Sequence, residues 1–359
     1  MILNSFLHYP AVFTQVLTIF AQKQRSMKER ESQFELLRIL AMAMIVALHF
    51  NGVAVEKLLP ITTRPFSEIW LAEVVEALSI VGVNVFVLIS GYFGIRMSAK
   101  GVAKYVGQVM WYAVLPAIAA ICIFPQLCEN ENFVSRTVHG LTNSTQCFIL
   151  CYFILMAMSP AINAVAGRLS YRGQVWTAIA LVIINCLFGW WYEMRFNDTG
   201  YTVYQLIMMY WIGGVIKSTL QRYKQIPWRS IAIGTYAISI VGVILMMHTM
   251  RYFKVIGYNN PVIMVESIAL FIIFATMRFK SRAINWIASS AFAVYLVHMH
   301  FAIFGNILRP LLSNIFDQYG GGMYTLYATG IGIAVYVISI LIDKPRIWLF
   351  DKLLAIKGK

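Results

Sequence analysis

Stretches of about 20 predominantly apolar residues recur along this chain, and the short segments between them hold most of its Lys and Arg. A run of that length is what an α-helix needs to cross the hydrocarbon core of a bilayer, where it satisfies its own backbone hydrogen bonds. Of the 359 residues, 60% are hydrophobic and 12% are charged, roughly half the charged share of a soluble domain. The sequence therefore predicts an all-α, polytopic integral membrane helical bundle without a soluble domain.

The apolar runs predict about ten transmembrane helices. They cover approximately residues 34–54, 69–93, 102–125, 146–166, 174–192, 201–219, 229–249, 261–278, 284–308 and 323–342. We place the transmembrane domain at 34–343 and a basic cytoplasmic tail at 344–359. Residues 1–33 form an extension that either lies at the membrane interface or precedes a natural start at Met27, and we favour the second interpretation.

The net charge of +14 predicts orientation rather than nucleic-acid binding, because most of the basic residues lie in or beside the loops between the apolar runs. One set of loops holds Arg96, Lys100 and Lys104; Arg168 and Arg172; Lys217, Arg222, Lys224 and Arg229; and Arg278, Lys280 and Arg282. The alternate loops hold only Lys57, Arg64, Arg136, Arg195, Arg251, Lys254 and Arg309. The positive-inside rule places the richer set, and with it both termini, in the cytoplasm.

The first predicted helix carries Arg38 and His49, with only apolar residues between them. Eleven helical steps of about 100° end within roughly 20° of whole turns and rise about 16 Å, so both side chains share one helix face. Ionisable residues at membrane depth are costly and commonly mark functional sites. The pair predicts a polar track that runs from near the cytoplasmic face into the membrane.

His49 is a candidate general base or nucleophile. A neutral imidazole can remove the proton of a hydroxyl group as a general base, the role we favour, or it can attack a carbonyl carbon and carry the acyl group as an acyl-imidazole. The planar guanidinium of Arg38 can bind phosphate groups of a donor, pair with Glu35 one turn earlier, or act as a snorkelling helix-end anchor.

Other predicted intramembrane polar residues are weaker candidates. His298 follows Tyr295 by one turn, and either takes a direct part or is a hydrogen-bonded packing residue. Glu266 could orient a histidine, bind the acceptor or neutralise an arginine. Glu73 and Glu76 could face an acceptor from the outer end of the second helix.

Several motifs together resemble the acyltransferase-3 family. They are the Arg38-x10-His49 pair on the first helix, FVLISGYF at 86–93, CYFI with SPAIN at 151–163, YWIGG at 210–214, and IASS with YLVH at 287–298. The Arg–His pair in this context is the most specific of them. Within FVLISGYF, Ser90 and Gly91 also permit a close backbone approach or a helix break, whatever the family.

The resemblance implies about ten transmembrane helices, acetyl-CoA as a cytoplasmic donor, and an acceptor hydroxyl on the outer side. It assigns function to Arg38 and His49, and Ser90 belongs to one of its motifs. The family's RxxR segment after the second helix is missing here, so Lys100 and Lys104 are the candidates for contacts to the donor's phosphates.

These observations predict a multi-pass protein of the bacterial inner membrane that acetylates a hydroxyl of a surface polysaccharide, its lipid-linked precursor or a glycolipid. Its expected partners are acetyl-CoA, the glycan acceptor and the lipid bilayer, with no bound cofactor, no metal site and no nucleic acid. The alternatives are transfer of another acyl group, such as succinyl, and a transporter or flippase of a glycan intermediate.

Overall fold

The computed structural model describes residues 31–123, 125 and 147–356. Most of the predicted N-terminal extension, the predicted loop at 126–145 and the last three residues lie outside that part. Within it, all regular structure is helical. The helices are α1 (Ser32–Leu58), α2 (Phe66–Ser79), α3 (Gly82–Phe93), α4 (Ala99–Ile123), α5 (Cys147–Arg168), α6 (Tyr171–Ile184), α7 (Val203–Arg222), α8 (Trp228–Thr249), α9 (Tyr252–Val255), α10 (Pro261–Ala275), α11 (Arg282–Ala288), α12 (Ala291–His298), α13 (Phe301–Ile303) and α14 (Arg309–Ile356). Wide π-helical turns extend α6 over Asn185–Trp191 and α13 over Phe304–Leu308.

Six helical segments of the described residues are long and apolar enough to cross a membrane. They are Ser32–Leu58, Phe66–Phe93, Phe148–Arg168, Tyr171–Trp191, Trp228–Thr249 and Phe301–Leu353. The chain is therefore a multi-pass helical membrane protein. The count of ten spans and the cytoplasmic placement of both termini stay predictions.

The four other predicted spans are also helical, with differences. The predicted helices at 102–125 and 201–219 correspond to α4 and α7. The span at 261–278 is shorter than expected, because α10 has 15 residues. The single helix expected at 284–308 is divided into α11, α12 and α13, with breaks at Ser289 and at Met299.

Helix α1 lies at the centre of the bundle. It contacts α2, α3, α10, α11, α12 and α14, and its side chains Phe34, Leu37, Met42 and Phe50 are almost completely buried. A single helix enclosed on most sides can present its polar residues to several neighbours at once. This placement brings the face that carries Arg38 and His49 into the protein interior.

Close contact between α3 and α7 explains the Ser90-Gly91 dipeptide. A Cβ built on Gly91 would lie 2.0 Å from the carbonyl oxygen of Tyr210, and one on Gly213 would lie 2.4 Å from that of Leu88. Only glycine permits two backbones to approach this closely. The close approach considered for this dipeptide is therefore present, and α3 continues through it to Phe93.

The loops gather at two opposite ends of α1. At its beginning, Ser32 donates to the side chain of Asn285 at 3.0 Å, in the segment that follows the α10–α11 loop. At its end, Lys57 forms an ion pair with Asp317. The α10–α11 loop and the segment around Asp317, which are predicted to face opposite sides of the membrane, thus lie at opposite ends of α1. Helix α14 is kinked at Gly320, whose φ of 71° and ψ of −175° are not helical. The proposed boundary between 343 and 344 falls inside the part of α14 that follows this kink, which is helical to Ile356.

Candidate active site

His49 and His298 form a hydrogen-bonded pair at the centre of the protein. His49 lies in the middle of α1, and His298 is the last residue of α12, where it is completely buried. The distance from His49 Nδ1 to His298 Nε2 is 3.0 Å. The other ring nitrogen of His298, Nδ1, lies 2.7 Å from the carbonyl oxygen of Val294, one turn earlier in α12.

The carbonyl of Val294 sets the direction of this chain of hydrogen bonds. A carbonyl oxygen only accepts, so His298 Nδ1 must carry the proton and donate it. Nε2 of a neutral His298 is then an acceptor, and it receives the Nδ1 proton of His49. Nε2 of a neutral His49 is consequently left with a free lone pair. A lone pair held in this way is what a general base or a nucleophile requires.

A small cavity of about 70 Å³ lies beside His49. The rings of Phe148, Tyr201, Tyr258 and Tyr295 line it, together with Gly200 and other residues. Its volume corresponds to roughly two water molecules at liquid density, so it has room for a hydroxyl or an acetyl group and not for a sugar ring. Gly200 and Tyr201 belong to the loop between α6 and α7, on the side predicted to face outward.

Arg38 does not contact His49. Its guanidinium forms an ion pair with Glu35 and lies 6.0 Å from the centre of the Phe93 ring. The pairing with Glu35 considered from the sequence is therefore present. The Arg38 side chain is still 29% exposed whereas that of Glu35 is 5% exposed, so part of the guanidinium faces open space at this level of α1.

The three other donor-side candidates are spread over two places. Ser90 lies beside Tyr152, with 3.1 Å between the two hydroxyl oxygens, and its hydroxyl also lies 3.2 Å from the carbonyl oxygen of Phe86. Lys104 forms an ion pair of 3.0 Å with Asp351 near the end of α14. Lys100 is exposed in the first turn of α4. Ser90 lies near Arg38, because the charge of Arg38 acts on its partner Tyr152 and the Phe93 ring beside Arg38 follows Ser90 by one turn. The described contacts of Lys100 and Lys104 do not include Arg38 or His49.

Glu266 is completely buried in α10. Neither carboxyl oxygen has a hydrogen-bond partner among the residues that the structure describes. Orientation of a histidine and neutralisation of an arginine both require a hydrogen bond or ion pair, and the described histidines and arginines do not supply one. Binding of the acceptor by Glu266 stays a prediction.

Asn51 is a polar residue near His49 that sequence reasoning missed. Its amide nitrogen donates to Glu76 at 2.8 Å and to the carbonyl of Ala72 at 2.9 Å, so it fixes α2 against α1 two residues beyond His49. Glu73 pairs with His248 at 3.0 Å. Glu73 and Glu76 are both buried. The sequence signal that could have identified Asn51 is its position, because it follows His49 by only two residues on the same predicted helix.

Comparison with protein families gives a match over most of the chain. The family model described as "Acyltransferase domain", of the acyltransferase-3 type, covers residues 31–344. No curated protein and no solved structure matched. The matched range begins beside α1 and includes the histidine pair, Arg38 and the α3–α7 contact.

Proposed function

Because this chain belongs to the acyltransferase-3 family and is a membrane acyltransferase, we propose that it moves an acetyl group from cytoplasmic acetyl-CoA to a hydroxyl of a surface glycan, its lipid-linked precursor or a glycolipid. The observation that carries the proposed chemistry is the chain of hydrogen bonds from His49 through His298 to the Val294 carbonyl. We place the protein in the inner membrane of a bacterium.

In this proposal His49 is the general base. Nε2 of His49 takes the proton of the acceptor hydroxyl while the hydroxyl oxygen forms a bond to the carbonyl carbon of the thioester. The bond from that carbon to sulfur then breaks, and the proton on His49 passes to the leaving thiolate to give CoA and the acetyl ester. His298 does not touch the reacting atoms. It is a positioning residue that holds the imidazole of His49 in the reactive tautomer and orientation.

Arg38 is the proposed donor-positioning residue. It lies on the same face of α1 as His49, about 16 Å closer to the predicted cytoplasmic end. A donor that enters from the cytoplasm meets its partly exposed guanidinium before its acyl group reaches His49.

The test uses membranes that contain the wild-type protein or the His49→Ala variant at equal abundance, supplied with acetyl-CoA labelled in the acetyl group and a glycan acceptor fraction. We expect label in the glycan with wild type only. Equal labelling by both proteins would show that catalysis lies elsewhere. If neither protein transfers label to a competent acceptor, the result would favour transport of a glycan intermediate.

Two further measurements separate the remaining alternatives. Succinyl-CoA labelled in the succinyl group, supplied in place of acetyl-CoA, should leave the glycan unlabelled if acetyl is the natural group. Label that stays on denatured protein in the absence of acceptor, and is absent in His49→Ala, would assign an acyl-histidine intermediate in place of the general-base step.

A further inference from the structure

A large basic cavity opens at the predicted cytoplasmic end of the protein, and neither Lys100 nor Lys104 lines it. Its volume is about 1010 Å³, at the upper end of the range of roughly 300–1,000 Å³ for small-molecule sites. The α7–α8 loop, the α10–α11 loop, the beginning of α1 and the end of α3 form its wall. Two of the loops that the positive-inside rule groups together thus enclose one space.

The wall of this cavity carries an excess of positive charge. Among the described residues of the wall, the basic ones are Lys224, Arg229, Arg278 and Lys280, and the one carboxylate is that of Glu31. Within the described residues, Lys224, Arg229 and Arg278 form no ion pair. Unpaired cations that converge on a concave surface focus a positive potential there and favour a ligand with several negative charges.

Aromatic rings complete the wall. Trp228 and Phe279 both line the cavity. The indole nitrogen of Trp228 donates to the carbonyl of Tyr223 at 2.8 Å, which fixes the ring at the start of α8. Fixed aromatic side chains next to arginines are the combination that stacks on a nucleobase and binds its phosphates.

We propose that this cavity binds the nucleotide end of the donor, the 3′-phosphoadenosine diphosphate of coenzyme A. The inference rests on the proposed function, because it supplies a site for the proposed donor. The three phosphate groups match the cations of the wall, and the adenine matches the aromatic rings. The phosphate contacts expected at Lys100 and Lys104 are thereby reassigned, since neither residue lines the cavity and Lys104 is paired with Asp351.

The cavity connects to the catalytic pair along α1. Gln33 lies in the cavity wall, and Arg38 and His49 follow it on the same continuous helix. The rise from Arg38 to His49 is about 16 Å, a distance that the extended pantetheine arm of the donor spans. Tyr92, also in the wall, contacts the Phe93 ring that lies beneath Arg38. Arg38 is thus located where the arm leaves the nucleotide cavity.

The test compares two donors that differ only in the nucleotide. The triple variant Lys224→Gln, Arg229→Gln and Arg278→Gln is assayed with acetyl-CoA and with S-acetyl-pantetheine, which lacks the phosphoadenosine diphosphate. We expect the KM for acetyl-CoA to rise about 10-fold or more with kcat unchanged, because several charge-assisted contacts are lost. The KM for S-acetyl-pantetheine should be the same in both proteins.

Two matched variants locate the effect. Arg168→Gln with Arg172→Gln removes two exposed cations from another loop of the same predicted side and should leave both KM values unchanged. Lys100→Gln with Lys104→Gln tests the site expected from the sequence. A rise in the KM for acetyl-CoA in that pair and not in the triple variant would overturn the proposal, as would equal rises for both donors.

Direct binding separates failure of this inference from failure of the proposed function. Adenosine 3′,5′-bisphosphate is titrated into purified protein in neutral detergent, with and without phosphatidylglycerol. Binding that the triple variant lacks supports the nucleotide site even if no glycan is acetylated. If wild type binds phosphatidylglycerol through these residues and does not bind the bisphosphate, the cavity holds lipid headgroups and the proposal is wrong.

Discussion

The backbone oxygen of Val294 and the side chains of His298 and His49 form one hydrogen-bonded line, although 249 positions separate the two histidines. Each member has a different task. The carbonyl of Val294 accepts the Nδ1 proton of His298, and Nε2 of His298 accepts the Nδ1 proton of His49. Nε2 of His49 therefore keeps a free lone pair. A residue in place of His298 needs only an acceptor atom that faces His49 Nδ1. Substitutions of His298 that keep or remove such an atom test this requirement.

We predict that His298→Gln retains more activity than His298→Met. The amide oxygen of glutamine can still accept from His49 Nδ1, whereas methionine has a similar volume and offers only a weak acceptor. We expect kcat to fall about 100-fold in the methionine variant and by roughly 10-fold or less in the glutamine variant, with KM for both substrates nearly unchanged. Steady-state kinetics at matched thermal midpoints checks this. Wild-type kcat in His298→Met would exclude a positioning role.

Glu266 permits a second prediction at the level of one residue. A carboxyl group buried in a membrane helix without a hydrogen bond costs free energy. Glu266→Met should therefore raise the free energy of unfolding by about 1–3 kcal/mol and leave turnover unchanged. Glu76→Met is the matched control, because Glu76 accepts a hydrogen bond from Asn51 and its loss should lower stability. Loss of turnover in a stable Glu266→Met protein would contradict this prediction and assign Glu266 a part in the reaction.

Among the elements, α3 and α7 form the contact that tolerates the least change. Two adjacent glycines of α7 differ sharply in their surroundings. A Cβ on Gly213 would lie 2.4 Å from the Leu88 carbonyl oxygen, whereas one on Gly214 would lie 3.8 Å from its nearest neighbour, the Gly91 carbonyl oxygen. The first distance requires the helices to separate, and the second is an ordinary van der Waals contact.

We predict that Gly213→Ala lowers the free energy of unfolding by about 1–3 kcal/mol or more, because a backbone atom cannot move aside as a side chain can. Gly214→Ala, the same change one residue later, should be within roughly 0.5 kcal/mol of wild type. Thermal unfolding of both variants in the same detergent measures the difference. Equal stability of the two would show that α3 and α7 are not in backbone contact.

The segment at 284–308 shows why element boundaries were harder to predict than element type. Its composition is helical throughout, yet α12 ends at His298 and α13 begins at Phe301. His300 interrupts the helix because its Nδ1 accepts from the backbone of Ala302, while its Nε2 lies 3.1 Å from the carbonyl of Ala113 in α4. The second contact is 187 positions away in the chain. No local pattern contains such information.

At the scale of the whole molecule, local and long-range features were predictable to different degrees. The shared face of Arg38 and His49 follows from helical periodicity within one segment, and the structure has that segment as one continuous helix. The contact of His49 with His298 and the meeting of Lys224 and Arg229 with Arg278 depend on how distant helices pack. From the sequence, these basic residues indicated orientation only, and their common cavity required the fold.

Orientation decides whether the donor cavity can receive acetyl-CoA, so the last prediction concerns sidedness. Arg64 and Arg172 are exposed and lie in loops predicted to face opposite sides. In a chain whose five cysteines are replaced, we expect an impermeant maleimide to label Arg64→Cys in intact cells, and Arg172→Cys only after the membrane is permeabilised. The reverse pattern would place the basic cavity outside the cytoplasm, where acetyl-CoA is not supplied. The donor proposal would then fail even though the histidine pair kept its geometry.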